Sequence, residues 1–252
     1  MNNVLSALWF REITIYRRQF TTVGLMPMLT GVIFFFMFFL PYKALLSPGE
    51  MTNVLPALVL DAMLMTLLIT IYETTARFYW ESQRSNGMAS LYEMGRFQRQ
   101  PSFFLAQALI GLAKGFLHLG VVCLILIFLT EISFEAVNFQ ASLIFILLGA
   151  LQIVAISKII GLFVKHVESL SKMLYVGLLP LMLINGLFLV KGSPLANFPV
   201  IAYYLPPYNW MAGLDAAFLL GTVDYGFLLI CMIETIFLGW LSATFFHLDG
   251  DQ

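Results

Sequence analysis

Apolar residues in this chain do not alternate with polar ones; they come in long runs separated by short polar intervals. The runs cover residues 21–40, 54–72, 103–130, 139–164, 173–190 and 226–246. About 20 apolar residues in a row are what a helix needs to cross the hydrocarbon core of a bilayer, whereas barrel strands would alternate apolar and polar positions. The pattern therefore predicts an all-α, polytopic membrane protein with six transmembrane helices, organised as one transmembrane domain over residues 1–252.

Three intervals depart from this rhythm, and each predicts an element of its own. Residues 3–20 gather Leu5, Leu8, Trp9, Ile13, Tyr16 and Phe20 on one helical face, with Arg11, Thr14 and Arg18 opposite. That is the signature of an amphipathic helix lying in the membrane interface. Its charges follow its apolar stretch, the wrong order for a cleaved signal peptide.

Residues 73–100 form the longest strongly polar interval, with four arginines and three glutamates. A centrally placed Arg costs at least about 2.5–3.5 kcal/mol in a transmembrane helix, so this interval is expected outside the bilayer. Within it Asn86–Gly87 breaks the chain, and Met88, Leu91 and Tyr92 then fall at i, i+3 and i+4 on one face of a short helix. An apolar-faced helix outside the membrane predicts a seat for another protein, and residues 73–102 are read as a cytoplasmic coupling region.

Residues 191–225 are broken by Pro194, Pro199, Pro206 and Pro207, yet remain rich in apolar and aromatic residues. Two short re-entrant helices on the extracytoplasmic side, near 198–204 and 208–220, fit this composition. Tyr203, Tyr204, Tyr208 and Trp210 are then expected at headgroup level.

Composition and charge narrow the class. The chain of 252 residues is 60% hydrophobic and only 11% charged, against about 25% for soluble domains. Its net charge of −1 offers no basic patch for nucleic acid. Cys123 and Cys231 both lie inside apolar runs, as small buried hydrophobes do. Nine lysines and arginines fall in 1–20, 73–100 and 165–172, against Lys43 and Lys191 in the opposite intervals. The positive-inside rule then places both termini and the 73–100 stretch in the cytoplasm.

Ionisable residues within the apolar runs are candidate functional groups. Lys114 and Lys158 sit where their stems can snorkel toward the headgroups. Asp61 and Glu234 lie about 10–12 Å in from the ends of their runs, at 1.5 Å per residue. They are candidates to line a polar path or to hold the re-entrant segment, together with Tyr203, Tyr204 and Trp210. His118 reads as a hydrogen-bonded core histidine, because no partner stands beside it at metal spacing. The three histidines, at 118, 166 and 247, are too scattered for a catalytic centre. Phe34, Phe35, Phe36, Phe38 and Phe39 form a packing or lipid-facing block in the first run.

The order of an interfacial helix, a cytoplasmic helix between spans two and three, and a re-entrant pair before span six resembles the membrane subunits of type-2 ABC exporters. That class includes O-antigen, capsule, teichoic-acid and drug permeases. ESQRSNGMASL, at 81–91, is similar to the family's Glu…Gly…Leu run ahead of its coupling helix, with Met88 and Ser90 where Thr and Glu are usual. Residues 186–214 resemble its small-residue bend and aromatic stretch, with Pro206 and Pro207 where an Asn-Pro is usual.

The resemblance implies a permease of the bacterial inner membrane that pairs with a second permease subunit, an identical copy before a different one. Separate cytoplasmic ATPases, carrying ATP and Mg, would dock on Glu81, Arg84, Gly87, Met88, Leu91 and Tyr92. The substrate implied is amphiphilic: a lipid-linked glycan, a lipid or a hydrophobic drug. The chain itself carries no G-x-x-x-x-G-K-[ST] run, GLAKG at 111–115 being the nearest stretch, so it is expected to be no enzyme, with no cofactor or metal of its own. The alternative is a self-sufficient secondary transporter or channel, which internal repeats would support; the sequence shows no convincing one.

Overall fold

A computed structural model describes residues 2–84, 101–132, 137–184, 187–188 and 206–248. Among the described residues the fold is helical, without strands, and six helices are long and apolar enough to cross a membrane. Helix α1 spans Asn2–Arg18 and leads through a π-helical segment, Phe20–Leu25, into α2, Met26–Leu45. Helix α3 runs Pro48–Arg84, α4 Pro101–Thr130 and α5 Phe139–Phe163. The short α6, Val167–Lys172, continues through a second π-helical segment, Met173–Leu178, into α7, Leu179–Ile184. Then come α8, Pro206–Leu219, and α9, Tyr225–Leu248.

Helix α3 is the axis of the bundle. It packs against α2, α4 and α5, and 83% of its most apolar stretch is buried, against 17% for the last span. Its start lies earlier than the apolar pattern predicts. Ser47 and Glu50 form a capping box: the Glu50 carboxylate accepts from the Ser47 backbone N–H at 2.9 Å and from its hydroxyl at 2.7 Å. Pro48 takes the first helical position, where its missing N–H costs nothing. The Ser-Pro-Gly-Glu run at 47–50, whose composition reads with Pro41 and Lys43 as a short turn, is therefore a helix start. Pro41 itself lies inside α2.

Nor does α3 stop at Tyr72, where the polar interval begins. It continues to Arg84, because the polar side chains after Tyr72 meet partners on α1. On its other side α3 lies so close to α5 that a methyl group at Gly161 would fall on the Ala76 carbonyl.

The fifth span is also shifted, covering Val167–Ile184 instead of 173–190. Leu170, Leu174 and Leu178, one helical turn apart, are buried and carry the helix through the charged 165–172 link. A helix, α8, does stand where the one near 208–220 is expected, with Pro206 and Pro207 in its first turn. Asn138 ties α5 to it, its side chain accepting from Ala141 N at 3.2 Å and its own N–H donating to the Ala217 carbonyl at 2.9 Å. The other proposed re-entrant helix, near 198–204, lies outside the described residues.

Helix α1 buries a different face from the apolar one. Leu8 and Glu12 are buried, while Trp9, Phe10 and Ile13 point outward. Glu12 turns inward here because α4 offers it a charged partner, Lys114.

Candidate functional site

The inward face of α1 meets α3 and α4 through a continuous web of charge. Lys114 Nζ on α4 donates to Glu12 Oε2 at 2.8 Å, and Arg11 Nη1 donates to Glu12 Oε1 at 2.8 Å. Arg11 Nη2 reaches on to Glu81 Oε2, whose other oxygen accepts from Arg77 Nε at 2.9 Å. Arg77 Nη1 then donates to Gln19 Oε1 at 2.8 Å, closing the web on the end of α1. The signs alternate along Lys114, Glu12, Arg11, Glu81 and Arg77. The Arg11 guanidinium also lies 4.7 Å above the Phe78 ring.

The Glu12–Lys114 pair is the buried heart of this web, its side chains only 7% and 8% exposed. Burying such a pair adds little net stability, but losing one partner strands the other charge. It fixes the register of α1 on the bundle. The snorkelling expected of Lys114 and Lys158 is not what the fold does with them. Lys114 finds a carboxylate inside the protein, and Lys158 is buried with its ammonium 5.6 Å from the Tyr79 ring centre.

One turn beyond Lys114 lies His118, fully buried and hydrogen-bonded as the sequence implies. Thr70 Oγ1 spends its single hydrogen on the Thr66 carbonyl at 2.8 Å, so toward His118 Nδ1, 2.9 Å away, it must accept. The imidazole therefore carries a proton on Nδ1, and its Nε2 lies within hydrogen-bond distance of the Tyr16 hydroxyl, at 3.2 Å. Burial pushes the Tyr16 phenol pKa up from its ordinary value, which keeps it a donor.

Beside the web opens a cavity of about 260 Å³ between α1, both π-helical segments, α3, α4 and α6. Arg11, Glu12, Glu73, Arg77 and Lys114 supply its charged wall; Tyr72, Leu170 and Leu174 its apolar one. Tyr72 anchors α6, donating its hydroxyl to the Leu170 carbonyl at 2.8 Å.

A second set of polar contacts gathers further back along α3 and around α8. Asp61 Oδ2 accepts from the Phe188 N–H at 2.8 Å. Phe188 is a fully buried, non-glycine residue with φ of 62°, a left-handed conformation that costs roughly 1–2 kcal/mol. Besides Asp61, the Phe38 ring stacks on it at 4.7 Å and Tyr42 Oη donates to its carbonyl at 3.3 Å.

Glu234 on α9 accepts from Asn209 Nδ2 of α8 at 2.6 Å, and from Gln152 Nε2 of α5 at 3.4 Å. Trp210 does not sit as an exposed anchor. It is buried at 3% exposure, and a methyl group at Gly149 would overlap its ring. Glycine at that position lets α8 lie down on α5, which closes the indole between the two helices.

The sequence-derived sites are thus divided. Glu81 stands in the ionic web; Asp61, Glu234 and Trp210 hold the segments around α7 and α8. Arg84 ends α3, while Gly87, Met88, Leu91 and Tyr92, with Tyr203 and Tyr204, lie outside the described residues. Glu12 and Arg11 escaped the sequence reading. Their one available signal was the pair of opposite charges breaking the face of an otherwise amphipathic helix. Among the described residues no three His, Cys, Asp or Glu side chains are grouped to hold a metal ion.

Six apolar helices, an amphipathic helix latched onto the second span and a short helix laid against the fourth and sixth define a multi-pass membrane permease architecture. The ABC-2 type transporter membrane family model matches residues 3–219, and the chain belongs to that family. No curated protein and no solved structure matches it significantly.

Proposed function

We propose that this chain is the permease subunit of an ATP-driven exporter, working with a second permease subunit and with separate cytoplasmic ATPases. The observation that carries the reading is where the ionic web sits. Arg11 and Gln19 hold Glu81 and Arg77 within two turns of Arg84, the point at which α3 enters residues 85–100. A load applied to an ATPase seat at 88–94 would pass through that web to α1 and α4, and along α3, the most buried helix, to the bundle. ATP and Mg would be held by the partner ATPase.

In this reading Glu81, Arg84, Gly87, Met88, Leu91 and Tyr92 form the coupling contact. Asp61, Glu234 and Trp210 hold the extracytoplasmic segments, and Tyr203 and Tyr204 are candidates for the same role. Both termini face the cytoplasm across the bacterial inner membrane, and the permease pair is a homodimer. The exposed apolar residues of α1 (Trp9, Phe10 and Ile13) suit a helix seated in the membrane interface. The substrate class is amphiphilic: lipid-linked glycan, lipid or hydrophobic drug.

The test is capture of partners from native membrane in mild detergent, wild type against a Met88→Asp, Leu91→Asp, Tyr92→Asp triple variant of unchanged elution volume. Co-purification of an ABC ATPase with wild type, lost in the variant, is the expected result. An ATPase that the variant retains removes the coupling contact. Failure of wild type to bring down any ATPase removes the exporter reading.

A further inference from the structure

The cavity beside the ionic web contains polar groups that the fold itself leaves uncommitted. Glu73 is half-buried on its wall and makes no hydrogen bond or ion pair among the described residues, although Lys114 and Arg77 both act on it electrostatically. Lys114 gives one of its three hydrogens to Glu12. Arg77 uses Nε and Nη1, leaving Nη2. A carboxylate and two sets of donor hydrogens are therefore available around the same space.

The charge balance restricts what can enter. Arg11, Arg77 and Lys114 supply three positive charges, and Glu12, Glu73 and Glu81 three negative ones. A lone cation drawn to Glu73 would meet Lys114 and Arg77; a lone anion drawn to those two would meet Glu73. A ligand carrying both charges satisfies all three. At about 260 Å³ the space lies below the roughly 300–1,000 Å³ of drug-sized sites, which suits a head group rather than a whole amphiphile. Val167 of the lining, and Phe20, Met173 and Tyr175 within two residues of other lining positions, are exposed apolar side chains that acyl chains can cover.

We infer that this cavity binds a zwitterionic head bearing an ammonium and a phosphate, as in phosphatidylethanolamine. The ammonium meets Glu73, and the phosphate takes the spare hydrogens of Lys114 and Arg77. The same chemistry exists in soluble phosphoethanolamine, so the source has to be separated by experiment. The site does not depend on an ATPase, and neither does its test.

The full-length chain, released from mild detergent, is titrated with short-chain phosphatidylethanolamine and phosphatidylglycerol, and bound lipid is counted by native mass spectrometry. Wild type is expected to hold phosphatidylethanolamine at least about tenfold more tightly, the effect of one charge-assisted contact. Glu73→Gln should remove that preference, weakening phosphatidylethanolamine binding and relieving the repulsion that phosphatidylglycerol meets. Competition by millimolar phosphoethanolamine would assign the site to the soluble head; its failure to compete assigns it to the intact lipid. Equal retention of the two lipids by wild type, a comparison needing no variant, overturns the proposal. So does undiminished phosphatidylethanolamine binding by Glu73→Gln.

Discussion

The two halves of α3 handle charge in opposite ways. Toward its C-terminal end, Arg77 and Glu81 are paired with charges and an amide brought by α1, a helix some seventy residues away in the chain. Toward its N-terminal end, Asp61 takes a backbone N–H from Phe188 and fixes one strained turn. About 16 residues separate Asp61 from Arg77, roughly 24 Å of helix at 1.5 Å per residue. Charge paired with charge ties distant elements into one unit, and its loss strands a partner. Charge paired with backbone secures a local conformation, and its loss strands an N–H.

The largest effect should therefore come from the ionic half. Glu12→Met leaves Lys114 buried without its carboxylate and should cost about 3–5 kcal/mol, roughly 6–20 °C in Tm for a chain of this size. Combining it with Lys114→Met removes both charges and should restore much of that loss, because a buried pair contributes little net stability. The measurement is thermal unfolding of the detergent-solubilised protein. A double variant as unstable as Glu12→Met would show that α1 is held by packing at Leu8 rather than by charge.

That web marks the limit of what the sequence makes legible. The six spans, the amphipathic α1 and α8 follow from apolar run length and proline placement, since these are local properties. The start of α3 was also written locally, in the capping box at Ser47 and Glu50, but the turn-like composition of Ser-Pro-Gly-Glu masks it. Its continuation past Tyr72 was not local at all. The residues from Glu73 to Glu81 look like the end of a helix until the partners on α1 are known. The same holds for Lys114, whose carboxylate is 102 residues away in the chain, and for Trp210, whose burial depends on a glycine in α5.

The local half of α3 should yield a smaller penalty. Asp61→Leu leaves the Phe188 N–H without its carboxylate acceptor, at about 1–3 kcal/mol, while Asp61→Asn keeps an acceptor oxygen and should lose less. The same unfolding assay separates them. Equal losses for the two variants would mean that the carboxylate's charge, not its hydrogen bond, holds the turn. Gly149→Leu probes the neighbouring contact through overpacking, at about 1–3 kcal/mol. Trp210→Ala should relieve it if the indole is what fills the space.

The smallest expected effect sharpens the boundary between the halves. His118 lies between them, linked to α1 among the described residues through Tyr16. Tyr16→Phe removes one neutral hydrogen bond and should cost about 0.5–1.5 kcal/mol, well below the loss for Glu12→Met. With Nε2 freed of its donor, the ring has no reason to prefer one tautomer except Thr70. Nitrogen NMR of histidine-labelled protein should then still report the proton on Nδ1, because the Thr70 hydroxyl remains committed to the Thr66 carbonyl. A shift of that proton to Nε2 would show that Tyr16, and hence α1, sets the state of the buried imidazole, extending the reach of the ionic half one turn deeper into the bundle.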